Sequence, residues 1–98
     1  MSIVVHHRPE AACFEAVVDG LRSECAYRLA PGVVTLHHTE VPRALQGRGV
    51  AAALVDAALS WARAQGLRVR PSCSYVALYM RRHPETQDLL DPPRGDPP

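Results

Sequence analysis

The chain has 98 residues, of which 47% are hydrophobic and 21% charged, and a formal net charge of +1. That is enough for one domain with a single modest core, without the apolar run of about 18 residues that a membrane-spanning helix needs. It also leaves no bulk electrostatic case for nucleic acid. All 11 basic residues are arginine, so a Walker-type phosphate loop, a Schiff-base lysine and a Ser–Lys dyad are excluded together.

In chain order, residues 3–6 alternate weakly and predict an edge strand. Residues 12–19, with Phe14, Val17 and Val18, predict a second strand. Asp19-Gly20 is a two-residue hairpin signal, and residues 23–29 then form the partner strand. Pairing across that turn sets Phe14 opposite Cys25 and Cys13 opposite Ala26. Pro31-Gly32 suits a type II turn, followed by a third meander strand over residues 33–39. Residues 40–49 form a loop with Pro42, Gly47 and Gly49. Residues 50–65 carry the clearest helical pattern, with Val50, Ala51, Leu54, Val55, Ala58, Leu59 and Ala62 on one face. Gly66 supplies the stop. Residues 67–71 predict a short strand, and Ser72 or Ser74 an N-cap for a second helix running to about Arg82. Residues 85–90 add a turn. The proline-rich residues 91–98 are expected to be a disordered tail, with one domain over residues 1–90. Strands, Gly-rich loop, helix, strand and helix in this order predict an α+β fold, a mostly antiparallel twisted sheet with two main helices packed on it.

Cys13, Cys25 and Cys73 are odd in number and form no CxxC pair. This argues against a disulfide scaffold or a cysteine zinc site and for a reducing, cytoplasmic setting. The opening Met-Ser-Ile-Val-Val-His-His-Arg has neither the basic leader nor the apolar stretch of a signal peptide. Adjacent strand residues face opposite sides, so His37 and His38 cannot chelate one metal together, nor can His6 and His7. No metal is expected.

The start of the long helix is the informative place. No Ser, Thr, Asp or Asn lies between residues 41 and 50, so the usual side chains cannot cap its first-turn N–H groups. Gly47 and Gly49 let the backbone turn tightly and bring amides close to a ligand. Such a helix start suits an anion, with Arg43 and Arg48 adding charge, and a pyrophosphate is the natural occupant. The alternative is a plain loop whose amides bind water. Cys73 falls at or just before the second helix, three residues after Arg70, a setting that favours the thiolate.

The stretch Gln46-Gly47-Arg48-Gly49-Val50-Ala51 resembles the acetyl-CoA loop of the GCN5-related N-acetyltransferases, Gln/Arg-x-x-Gly-x-Gly/Ala. Three further motifs, His38-Thr39-Glu40-Val41-Pro42, Pro71-Ser72-Cys73-Ser74-Tyr75 and His83-Pro84-Glu85, are similar to those of the small single-domain branch of that family. The four share one order and span roughly residues 10–90. The resemblance implies an N-acetyltransferase-like protein with acetyl-CoA as co-substrate and a primary amine as acceptor. The pyrophosphate would lie on the amides of Gly47, Arg48, Gly49, Val50 and Ala51, beside Gln46. The pantetheine arm would pair along Thr39, Glu40 and Val41. Cys73 would carry a transient acetyl group or line the acetyl pocket. His38 would be a general base or a structural histidine, and Tyr79 a proton donor to the leaving thiolate or a packing residue. Ordinary members have two helices between the first strands, whereas only residues 19–22 stand there in this chain. The acceptor side is therefore expected to be open and shallow, for an acceptor presented on something large such as a protein, or for none at all. The competing functional readings are a CoA-binding module with little or no transfer, and an interaction domain without cofactor.

Overall fold

A computed structural model of the chain describes residues 3–92. Five strands form one sheet in chain order: β1 (His6–Arg8), β2 (Cys13–Val18), β3 (Leu21–Ala30), β4 (Val33–Glu40) and β5 (Arg68–Pro71). The first four are antiparallel neighbours, and β5 lies parallel to β4. A parallel join needs a crossover. Here α1 (Val50–Ala64) supplies it, and α2 (Ser74–Arg82) follows β5. This is the mostly antiparallel α+β sheet with two helices that the sequence pattern predicts.

Asp19 and Gly20 both take positive φ, 53° and 76°, as a type I′ hairpin turn requires. The turn fixes the pairing of β2 with β3, and Phe14 meets Cys25 while Cys13 meets Ala26. Phe14, Ala16 and Val18 of β2 and Ser23, Cys25 and Tyr27 of β3 are buried. Leu54, Val55, Ala58, Leu59 and Ala62 of α1 pack with Phe14, Cys25 and Tyr27 in one core, which Val76 and Met80 of α2 join. The other sheet face is open to solvent. It carries Arg8–Glu15 and Arg22–Glu24 ion pairs, with Val17 59% exposed among them. No helix among the described residues is long and apolar enough to cross a membrane.

The structure differs from the sequence reading in three local ways. The first strand lies at His6–Arg8, not at residues 3–6. His7 stacks on Phe14 at 4.2 Å, and its Nε2 is 2.8 Å from the Tyr27 hydroxyl. This anchor sets the pairing, and Pro9 ends it by removing a donor. Neither serine caps α2. Cys73 is the N-cap residue, and the Ser72 hydroxyl turns to the Leu36 carbonyl. Asp91 is not part of a loose tail, because its amide donates to the Val69 carbonyl at 2.9 Å and its carboxylate takes Arg70 at 2.7 Å. Residues 93–98 of the expected tail lie outside the described residues.

One irregularity positions the site. The β3–β4 register jumps between Ala26 and Tyr27, pairing Tyr27 with Leu36 but Ala26 with His38. His37 is the extra residue of a β-bulge, which reverses the facing of every residue after it. Thr39 consequently lies opposite the buried Cys25 on the helix side, while Glu40 lies opposite Glu24 on the open side.

Candidate functional site

The loop before α1 is held from within. Leu45 is buried in the core, and the Gln46 side-chain amide donates to the Val41 carbonyl at 3.2 Å. Gly47 and Gly49 have φ of 81° and 83°, the left-handed region in which side chains are strained. A Cβ at either glycine would meet nothing within 4 Å. These glycines therefore answer to backbone conformation and to open space beside the loop. Gly49 is the N-cap of α1 and has no side chain with which to cap it. The first turn borders a depression of about 310 Å³, lined by Val41, Gln46, Gly47, Gly49, Ala51 and Tyr75 among others. Uncapped N–H groups, a positive helix end and a backbone without Cβ cover fit a diphosphate group.

The arginines named in the sequence act differently from one another. Arg48 reaches back to Asp19 at 2.9 Å and ties the loop to the β2–β3 hairpin. Arg43 is exposed in the short turn Arg43–Leu45. Arg70 is held by Asp91 and does not act on Cys73, which corrects the sequence expectation.

Cys73 stands where β5 passes into α2. Its amide donates to the Leu36 carbonyl at 3.1 Å, which holds the Cys73 backbone against β4. The Cys73 Sγ lies 3.6 Å from the Thr39 hydroxyl. Burial pushes its thiol up, but the Val76 and Tyr75 amides at the start of α2 and the hydroxyl and amide of Thr39 outweigh that. The thiol is held below its ordinary value. Cys25, fully buried opposite Thr39, is pushed up to about 11, chiefly by burial.

β4 runs on past its last β5 partner, Leu36 opposite Pro71. From His37 onward it has an edge unpaired by β5, facing the turn that carries Cys73. Thr39, Glu40 and Val41 lie along this edge, and Val41 also lines the loop depression. His38 points to the open face, where its Nε2 is 3.3 Å from Glu40. Glu24, His38 and Glu40 have ligand-type atoms within 4.8 Å of one another. Glu24 is already paired with Arg22 at 2.7 Å. The fold thus brings Cys73 and Thr39 together on the helix side and sets His38 on the opposite side of the same strand.

Tyr79 is not brought to the loop. Its ring stacks on His83 at 4.0 Å, and it lines a separate hollow with Asp56, Arg63 and Glu85. Burial, then Asp56 and Glu85, push its phenol up. Tyr75 is the tyrosine that borders the loop depression. Its sequence signal was present in the Pro-x-Cys-x-Tyr segment. The partnership of Cys25 with Thr39 had no such signal, because the bulge that creates it leaves no mark in the hydrophobic pattern.

Comparison with known proteins adds to this geometry. A family model described as GCN5-related N-acetyl-transferase matches residues 13–89. Protein NATD1 of Homo sapiens is 40% identical over 57 residues, which cover 58% of this chain and 50% of that protein. The chain spans about half the length of the first curated relatives it matches. Protein NATD1 of Xenopus tropicalis is 33% identical over 91 residues, covering 90% of this chain and 84% of that protein. Among solved structures, a GCN5-like protein from Staphylococcus aureus superposes with a TM-score of 0.71 at 25% identity, covering 89% of this chain and 86% of that one.

Proposed function

The chain belongs to the GCN5-related N-acetyltransferases, and from that membership we propose that it binds acetyl-CoA and transfers the acetyl group to a primary amine by way of Cys73. One observation carries the reading. Tyr75, two residues after Cys73, shares a single depression with Gly47, Gly49 and the first turn of α1. A diphosphate seated on the loop amides and a thioester near Cys73 are then two ends of one bound molecule.

The loop amides of residues 47–51 hold the diphosphate, with Gln46 bracing the loop. The unpaired edge of β4 at Thr39, Glu40 and Val41 offers backbone groups to the amides of the pantetheine arm. The lowered Cys73 thiol attacks the thioester carbonyl as thiolate. Its sulfur gains the acetyl carbon, and the bond to the coenzyme's sulfur breaks. The Tyr75 and Val76 N–H groups at the start of α2 hold the attacking sulfur as thiolate. The amine then attacks the acetyl-cysteine carbonyl, the carbon–sulfur bond breaks, and the departing Cys73 sulfur takes up the amine proton. The open face of the sheet suits an acceptor presented on a larger molecule. The free thiols fit a reducing cytosol as the place of action.

Incubation with acetyl-CoA followed by intact-mass measurement tests the reading. The sequence contains no lysine, so an acetyl group on a side-chain amine is impossible and a thioester is recognised by its loss in hydroxylamine. The wild type is expected to gain one hydroxylamine-labile acetyl group, and Cys73→Ala to bind coenzyme A without gaining it. An undiminished adduct on Cys73→Ala would refute the nucleophile. Binding without any adduct or turnover would make the protein a coenzyme A-binding module.

A further inference from the structure

We propose that Thr39 is the positioning residue of the Cys73 sulfur, its O–H donating to the Cys73 thiolate. The inference rests on the reading of Cys73 as nucleophile and deepens it.

Three observations meet at this point. The Thr39 hydroxyl is 3.6 Å from the Cys73 sulfur. The fully buried Cys25 is the cross-strand partner of Thr39. The bulge at His37 is what turns Thr39, rather than His38, toward the helix side. Without the extra residue, His38 would continue the buried phase of Val34 and Leu36.

A hydroxyl has one proton to give and can accept as well. Toward a thiolate it can only donate, and a hydrogen bond to the charged form favours that form. Thr39 thereby acts on both the direction of the Cys73 sulfur and its charge.

Alkylation of the full chain by iodoacetamide, followed by mass spectrometry across the pH range, reads this without acetyl-CoA. Cys13 and Cys25 are 2% and 0% exposed, so the label reports on Cys73. Thr39→Val keeps the shape and removes the hydroxyl. It is expected to move the half-point of reactivity upward by about one unit, slowing labelling about tenfold at neutral pH while leaving the alkaline plateau unchanged. Thr39→Ser should retain the wild-type profile. A folded Thr39→Val protein with the wild-type profile overturns the proposal, and should that variant not fold, the same result with Thr39→Ala overturns it. The two readings fail separately. Loss of the acetyl-Cys73 adduct with a Thr39-dependent profile refutes the transferase route alone. An adduct with a Thr39-independent profile refutes the positioning alone.

Discussion

Replacing Gly49 by alanine separates what the glycine does for the fold from what it does for a ligand. In the free protein an added Cβ meets nothing within 4 Å, so no clash contributes. The cost is conformational. An L-residue at φ 83° and ψ 8° is disfavoured by roughly 1–2 kcal/mol. For a domain of this size that lowers the melting midpoint by roughly 4–16 °C. Gly66 at the other end of α1 is the matched control, with φ 68° and open space around its own Cβ position. Gly66→Ala should therefore lose similar stability. Coenzyme A binding should distinguish the two. Loss of one good hydrogen bond to a charged group costs about 1.5–3 kcal/mol, which weakens binding about ten- to hundredfold. Titration calorimetry below both melting transitions should show that weakening for Gly49→Ala and wild-type affinity for Gly66→Ala. Equal affinities in the two variants, or equal losses, would refute the assignment of the diphosphate to this loop.

Other consequences are independent of the ligand. Ser23 is 1% exposed, and its hydroxyl has no hydrogen-bond partner among the described residues. Ser23→Ala should stabilise the fold by about 1 kcal/mol, seen as a rise of roughly 4–8 °C in a thermal melt, and a lower midpoint would contradict this. Burial, against a smaller opposing pull from Glu10, holds His7 below its ordinary value of 6.5. The unfolded chain therefore takes up the His7 proton first as pH falls. The stability tied to neutral His7 is present above the unfolded value and is lost as pH drops through the folded one. Denaturant midpoints should decline on acidification below about 6.5, more steeply for the wild type than for His7→Phe, and parallel declines would contradict the assignment.

Much of the molecule was legible because turns and periodicity are local. Asp19-Gly20 dictates the hairpin and with it the facing of Phe14 and Cys25. The helix pattern from Val50 to Ala62 places α1, and the lack of a capping side chain before it marks the loop. The short first strand was misplaced because its anchor is a stack between His7 and Phe14, a contact between strands that spacing along one strand does not show. The role of Arg70 was misjudged for a similar reason. Its partner Asp91 is distant in sequence and sits in a stretch whose composition suggests no structure. The facing of His38 and Thr39 depended on the bulge at His37, a single inserted residue. An alternating pattern gives the facing of a strand only up to such a break.

Binding of the coenzyme across the two helix starts is tested most directly by amide chemical shifts of the isotopically labelled protein, followed during titration with coenzyme A. The largest changes should fall on residues 47–51, continue through residues 39–41 and reach Cys73 and Tyr75. Saturable binding that leaves the amides of Gly47, Gly49 and Ala51 unmoved would contradict it.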